Sequence, residues 1–251
     1  KLRPAAAGGG DHRQTAGHCL EDDVGERIVE GRQQQAISHI DFNTLGLLIG
    51  MMIIVNITSE TGLFNFLAVW AAKKVKAKPI ALLVALSTIT MVCSALLDNV
   101  TTVLLTVPIT FSITSQLKVD VKPFLISQIL ASNIGGTATL IGDPPNIMIG
   151  SAVGLDFMSF VSNLTGVCLL IFAVTELLLI LIYHRGLHTT EELRAQLMHL
   201  QEDRQITNPQ LLKKCLFVLT ITILLFVTHS MLHLETAPAA LTGPTLLPLI
   251  S

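Results

Sequence analysis

The feature that most constrains this fold is a series of long uncharged segments along the chain. They cover residues 42–59, 79–97, 99–117, 123–142, 157–183 and 215–234, and Glu176 is the one charge within them. Roughly 20 apolar residues in helical form cross a bilayer core about 30 Å thick. Because helices satisfy their own backbone hydrogen bonds in lipid, the sequence predicts an all-α membrane protein, a polytopic helix bundle.

Composition supports the same class. Charged residues make up 14% and hydrophobic residues 51% of the 251 residues, whereas a soluble domain carries about 25% charged residues. Sixteen Lys and Arg against eighteen Asp and Glu give a net charge of −2. Without a basic excess we expect no nucleic-acid partner. We expect a multi-pass integral membrane protein whose first partner is the lipid bilayer.

The chain divides by composition into four parts. We predict a polar, disordered leader, a membrane repeat, a cytoplasmic amphipathic connector, and a further membrane helix with the start of a truncated segment: residues 1–39, 40–183, 184–214 and 215–251. In the connector, Thr189 followed by Glu192 has capping-box spacing. Residues 62–72 are a shorter apolar segment, which we interpret as an interfacial helix.

Basic residues constrain the topology. They form three clusters, at Lys73–Lys78, at Lys118 with Lys122, and at Arg185 with Lys213 and Lys214. The positive-inside rule places all three on the cytoplasmic face. The chain between the first two clusters must then cross an even number of times. Two full spans satisfy this condition, and so does a re-entrant hairpin that turns near residues 98–102.

Three acidic residues lie where lipid-exposed carboxylates are costly. Such residues usually face a wet cavity or a polar partner. Glu176 lies about two turns before Tyr183, so it either snorkels to the interface or has such a partner. Asp98 and Asp143 each sit in a polar, helix-breaking cluster, the first around residues 98–102 and the second around 133–146.

The second cluster should interrupt a membrane helix. Gly135-Gly136 and Pro144-Pro145 disfavour continuous helix. Backbone opened inside a membrane must line a cavity or be buried in protein, and its N–H and C=O groups can bind an ion or polar substrate. The positive ends of half-helices favour anions, whereas the carboxylates favour cations or protons, so the sign of the cargo stays open.

The two clusters resemble those of the ion transporter superfamily, in particular the arsenite permease, sodium–proton antiporter and P protein group. The similarity covers about residues 38–245 and is closest to citrate-transporter-like permeases. It is carried by residues 41–52 (DFNTLGLLIGMM), 94–102 (SALLDNVTT), 133–139 (NIGGTAT) and 141–146 (IGDPPN).

This resemblance implies a fold of two inverted repeats, each with a re-entrant hairpin and a discontinuous helix whose tips meet at mid-membrane. The hairpin tip would lie near 98–102 and the helix break near 135–146. The ion or substrate ligands it implies are Asp98, Asn99, Thr101, Thr102, Asn133, Gly135, Gly136, Thr137, Asp143 and Asn146. Family members carry a second repeat that is not visible in these residues, so we expect the N-terminal repeat only, completed by the missing repeat or by a homodimer partner.

The function expected from these residues is secondary active transport of a small ion by alternating access. An inorganic anion such as arsenite, a carboxylate, or sodium–proton exchange would fit, with H⁺ or Na⁺ as coupling ion. We expect no other cofactor, no metal site and no enzymatic activity. The expected location is a bacterial inner membrane.

Three alternatives to a carrier stay open at this point. The chain could be a passive anion channel or a half-transporter without activity of its own. A remote alternative is an intramembrane aspartyl protease, which needs two carboxylates as acid and base. The Gly-x-Gly-Asp pattern of those proteases is incomplete at Asp143, which follows Leu140-Ile141-Gly142.

Overall fold

The computed structural model describes residues 42–199 and 205–232, and within them the regular structure is entirely helical. The helices are α1 (Phe42–Glu60), α2 (Leu63–Lys74), α3 (Pro79–Leu96), α4 (Asn99–Leu117), α5 (Lys122–Thr137), α6 (Pro144–Val153), α7 (Phe157–Tyr183), α8 (Glu191–Met198) and α9 (Pro209–Leu232). The predicted all-α membrane class is confirmed. The predicted leader, residues 1–39, and the predicted segment after residue 232 lie outside the described residues.

Three of these helices, α3, α4 and α7, are long and apolar enough to cross a membrane. The helices α1 and α2 meet the same condition together, but they are bent by 61° at Thr61 and Gly62. Gly62 has φ +81°, and a Cβ there would lie 2.0 Å from the carbonyl oxygen of Gln205. The bend therefore needs glycine both for its backbone conformation and for the close approach of the segment before α9.

The helices α3 and α4 form an antiparallel pair joined by Leu97 and Asp98. Helix α5 packs against this pair and lies especially close to α3. A Cβ on Gly135 would lie 2.2 Å from the carbonyl oxygen of Met91. Small residues let membrane helices approach closely and gain van der Waals contact, so Gly135 sets the distance between α3 and α5.

The membrane helix that begins at Lys122 is interrupted. It ends as α5 at Thr137 and resumes as α6 at Pro144, with residues 138–143 outside regular helix. Pro144 and Pro145 stand in the first turn of α6, where a missing N–H costs nothing. Asp143 at the N-cap position has extended backbone dihedrals.

One end of the bundle is closed by an apolar cluster that joins the start of α3, the end of α4, the start of α5 and the connector. Its fully buried members include Leu83, Leu117, Phe124, Leu187 and Leu197. Exposed lysines adjoin this cluster in sequence, at positions 78, 118 and 122. The first two basic clusters therefore lie at one end of the bundle, as an even number of crossings requires.

The capping-box prediction for the connector is wrong. The N-cap of α8 is Thr190, one residue later than predicted, and its side chain makes no capping hydrogen bond. The hydroxyl of Thr189 instead donates to the carbonyl oxygen of Leu117, at 2.7 Å. The side chain that the spacing predicted as a cap therefore bonds to the C-terminus of α4, a distant partner that the local sequence does not reveal.

A substitution of Gly135 tests the close α3–α5 contact. Gly135→Ala should lower stability by about 1–3 kcal/mol because the added methyl group collides with the backbone of Met91. The measurement is the thermal unfolding midpoint of the purified protein in detergent.

The matched control for this experiment is Gly166→Ala in α7. A Cβ at Gly166 meets nothing within 4 Å, and alanine has a better helix propensity by about 1 kcal/mol. An unchanged midpoint in Gly135→Ala would contradict the packing described here.

Candidate functional site

The tip of the α3–α4 hairpin packs against the break between α5 and α6. Asp98 is the N-cap of α4, and its Oδ1 accepts a hydrogen bond from the backbone N–H of Thr101 at 2.9 Å. The backbone N–H of Asn99 donates to the carbonyl oxygen of Gly142 at 3.1 Å. A direct main-chain bond therefore joins the two polar clusters, which are separated by about forty residues in sequence.

Two buried serines tie the hairpin to α5 just before the break. The Ser94 hydroxyl donates to the carbonyl oxygen of Ser132 at 2.6 Å. The Ser132 hydroxyl donates to the carbonyl oxygen of Asn99 at 2.7 Å. Each hydroxyl satisfies a carbonyl group that belongs to another helix, so the pair acts as a cross-link between α3, α4 and α5.

The backbone of the break is satisfied mainly by side chains. The Thr139 hydroxyl donates to the carbonyl oxygen of Ala95 at 2.5 Å and accepts from the backbone N–H of Gly142 at 3.1 Å. The Asn146 amide Nδ2 lies 3.2 Å from the carbonyl oxygen of Gly136 and 2.9 Å from that of Thr139. Opened backbone is thus compensated inside the protein, as the apolar surroundings require.

Glycines allow the two sides of the break to approach each other. A Cβ on Gly136 would lie 2.8 Å from the carbonyl oxygen of Gly142. A Cβ on Gly142 would lie 2.6 Å from that of Gly136 and 2.9 Å from that of Ser94. Neither position accepts a side chain without moving backbone, so both glycines are needed for this geometry.

The site lies part-way along the longest helix. The Thr165 hydroxyl of α7 donates to the carbonyl oxygen of Ala138 in the break, at 3.1 Å. At 1.5 Å per residue, Thr165 lies about 12 Å from the start of α7 at Phe157 and about 27 Å from its end at Tyr183. If α7 spans a bilayer, the break and the hairpin tip lie within the hydrocarbon layer.

The two carboxylates differ in what they contact. Asp98 spends one oxygen on the α4 cap, whereas the Asp143 side chain makes no capping bond in α6. The Asn99 side chain lies within hydrogen-bonding reach of Asp143, and the charge of Asp98 acts on Asp143 as well. Asn99 Oδ1 is buried and has no partner among the described residues. Among the described residues near the tip, Asp143 and Asn99 have unused ligand capacity, and so does the buried hydroxyl of Thr102.

Four helix ends converge at this place. The N-termini of α4 and α6 carry partial positive charge, and the C-termini of α3 and α5 carry partial negative charge. N-termini suit anions, while terminal carbonyl groups and carboxylates suit cations. The arrangement can hold an anion and a coupling cation side by side.

A cavity of about 310 Å³ opens beside the hairpin tip. Asp98 and Thr101 supply its polar wall, and Met51, Leu104 and Pro144 are among the apolar residues that complete it. The volume accommodates a small ion with part of its hydration shell. Nine of its eleven lining residues are apolar, so the cavity offers a polar ligand only the face formed by Asp98 and Thr101.

Not all of the predicted ligands meet at the tip. Asn133 and Thr137 are exposed on α5, and their side chains bond to carbonyl groups of their own helix. Thr102 is fully buried, and its hydroxyl has no partner among the described residues. The structure brings Asp98, Asn99, Gly136, Asp143 and Asn146 together.

Sequence reasoning did not single out the hydroxyl groups that hold this geometry. Ser94, Ser132 and Thr139 are 0%, 1% and 6% exposed, and each bonds across elements. Their signal in the sequence is weak, since isolated serines and threonines are common in membrane helices. Ser94 and Thr139 lie inside the strings that carry the family resemblance, and Ser132 directly precedes one of them.

The burial of Glu176 rules out one of the two environments that the sequence allowed for it. It does not snorkel to the interface, because its side chain is only 5% exposed. The Ser127 hydroxyl of α5 donates to its Oε1 at 2.9 Å. Glu176 therefore has a polar partner inside the bundle.

Comparison with known sequences decides the family. A family model described as "Citrate transporter" matches residues 27–248. The chain belongs to the citrate transporter family. This confirms the resemblance drawn from the four sequence strings, and it makes the chain part of an integral membrane protein.

The relatives agree with that assignment. An uncharacterized transporter of Mycobacterium tuberculosis is 41% identical over 213 residues, which cover 84% of this chain and 49% of the relative. The 46 kDa membrane protein of Mycobacterium leprae is 39% identical over a similar region. The human P protein is 43% identical over 161 residues, 62% of this chain and 19% of that protein. The chain spans about half the length of the mycobacterial relatives. The family model and the Mycobacterium tuberculosis relative are named as transporters.

A substitution of Thr139 tests the cross-link at the break. Thr139→Ala should lower stability by about 1–3 kcal/mol, because the carbonyl oxygen of Ala95 and the N–H of Gly142 lose a buried partner. Thr139→Ser keeps the hydroxyl and should restore most of this loss. The measurements are the thermal unfolding midpoint and amide exchange at residues 138–143. Equal midpoints for the alanine and serine variants would show that the hydroxyl does not hold the break.

Proposed function

We propose that the complete protein is a secondary active transporter of a small ion and that this chain supplies one half of its binding site. The observation that supports this proposal most is the contact of Asn99 with Gly142, which joins a hairpin tip to a broken helix. Helix breaks held in a membrane interior create sites where backbone ends can bind ions. Family membership points in the same direction.

Within this site, Asp143 is our candidate for the residue that binds the coupling ion. Its carboxylate makes no capping bond and lies beside the Asn99 side chain. Asp98 combines two tasks, since it caps α4 and also lines the cavity. The coupling ion would be H⁺ or Na⁺, and the helix N-termini of α4 and α6 would attract an anionic cargo.

A second half would complete the site. Asn133 and Thr137 are exposed on α5 close to the break, so a further repeat or a second copy of the chain could cover them and enclose the cargo. Movement of one half against the other would expose the site to either side in turn. We propose a bacterial inner membrane as the location, with the lysine-rich end of the bundle toward the cytoplasm.

The hairpin of α3 and α4 fits the re-entrant topology better than two full spans. Its tip reaches only as far as the break, and beyond that break α6 continues for ten residues. Both ends of the hairpin lie at the lysine-rich end of the bundle. A chain that enters, turns at the depth of the break and returns has this geometry.

Uptake assays on the complete protein in proteoliposomes test the proposal. Asp98→Asn and Asp143→Asn should each abolish uptake driven by a proton or sodium gradient, with radiolabelled citrate, arsenite and sodium ions as probes. Asparagine caps helices about as well as aspartate, so the Asp98 variant should keep its fold. Asp120→Asn, an exposed loop position, serves as the control that retains uptake.

Two outcomes would contradict this assignment. Normal uptake in both site variants would show that neither carboxylate is needed for transport. Uptake that follows the electrochemical gradient of the cargo alone, with reversal potentials independent of H⁺ and Na⁺, would identify a passive channel.

A further inference from the structure

A second buried polar group lies away from the hairpin tip, where three helices meet. Glu176 of α7 receives a hydrogen bond from Ser127 of α5, and Ser87 of α3 lies beside the same carboxyl group. The three side chains are 5%, 1% and 0% exposed. Glu176 Oε2 has no hydrogen-bond partner among the described residues. A carboxyl group is thus enclosed by two hydroxyl groups, with one oxygen unused.

Among residues 42–199 and 205–232, no basic group balances a negative charge at this place. On the three helices that form it, the other ionisable side chains are Cys93, Lys122, Cys168 and Tyr183. Each lies five to eight residues from the trio member on its own helix, about 7–12 Å along the axis. Helix α9, which carries Lys213 and Lys214, contacts α7 around Phe160, more than two turns away. A buried carboxylate without a partner costs several kcal/mol, so the neutral acid is favoured.

The hydroxyl groups suit a protonated acid. The Ser127 hydroxyl donates its proton to Oε1. The Ser87 hydroxyl donates its own proton to the carbonyl oxygen of Leu83 at 2.9 Å, so its lone pairs remain to accept a proton from the acid. A hydroxyl has one donor and two acceptor positions, so a proton on Oε2 would find an acceptor in Ser87 while Ser127 donates to Oε1. Metal cations such as Ca²⁺ need six or more oxygen ligands, whereas a proton needs only this one.

Buried hydroxyl groups lead from this acid toward the hairpin tip. On α3, Ser87, Thr90 and Ser94 are all 0% exposed and recur with helical spacing. On α5, Ser127 precedes Ser132, which bonds to the tip at Asn99. The distance along either helix is about 8–11 Å. The acid and the tip are therefore joined by two polar faces within one bundle.

We propose that Glu176, with Ser87 and Ser127, is a proton-binding site separate from the ion site at the hairpin tip. The carboxylate takes one proton from a hydronium ion on one side of the membrane, so that one O–H bond forms as another breaks, and it returns the proton to water on the other side. This role rests on the proposed function, because proton exchange matters for transport only in a proton-coupled carrier. Under this proposal the coupling proton binds Glu176 instead of Asp143. Asp143 then binds the cargo or a metal cation.

Infrared difference spectroscopy of the complete protein in lipid nanodiscs tests the site without any transport. The C=O stretch of a protonated carboxylic acid should be present in the wild type, fall reversibly as the pH is raised, and shift on exchange into D₂O. Glu176→Gln should remove this band, and Asp98→Asn and Asp143→Asn should retain it. Ser127→Ala should move it to higher wavenumber, because the C=O loses a donor. Thr88→Ala, an exposed hydroxyl on α3, should leave it unchanged.

Two spectroscopic results would overturn the proposal. A spectrum in which Glu176→Gln removes no carboxylic-acid band would show that the group is ionised. A band that is lost in this variant but never changes with pH would show a permanently neutral, structural acid.

Transport of the same probes separates this site from the proposed function. In Glu176→Gln, exchange of radiolabelled citrate or arsenite between the two sides should persist, while acceleration by a pH gradient should be lost. Unchanged acceleration would overturn the role of Glu176. If the wild type moved none of the probes while the Glu176 band still titrated, the transport proposal would fail and the proton site would stand.

Discussion

The structure depends on the satisfaction of backbone groups where a membrane helix is broken. Residues 138–143 leave the helix inside a bundle of apolar segments, where water is not at hand to replace lost hydrogen bonds. Thr139, Asn146 and the hairpin tip at Asn99 supply the partners instead. Because these partners come from both sides of the contact, the break and the hairpin form one unit.

This constraint also explains why the break was readable in the sequence. Adjacent prolines cannot continue a helix, and Pro144 and Pro145 begin α6. Gly135 and Gly136 stay helical at the end of α5, so the predicted break starts only after Thr137. The Asp98 cluster was readable for the same reason, since a charged cap within apolar residues has few alternatives. The position of the polar break therefore follows from short-range chemistry in the chain, whereas the residues alone left a re-entrant hairpin and two full spans both open.

What could not be predicted depends on contacts between distant residues. The sequence left Glu176 between the interface and an interior partner, and the choice depends on Ser127, which is 49 positions away along the chain. Thr189 has the spacing of a cap but bonds to Leu117. Asn133 lies within the family string and yet faces outward on α5. For Glu176 and Thr189, a neighbour on another helix, absent from any local pattern, determines the environment of the side chain.

The two polar regions place different demands on the same bundle. At the hairpin tip, Asp98 and Thr101 line a cavity, and this suits a ligand that enters and leaves. At Glu176 the surroundings are closed, which suits only the smallest ligand, a proton. In the proposed mechanism, separation of the two regions would let a proton change the charge of the bundle without competing for the cargo site. Since α3 and α5 contribute to both regions, a shift of these helices on protonation would be felt directly at the tip.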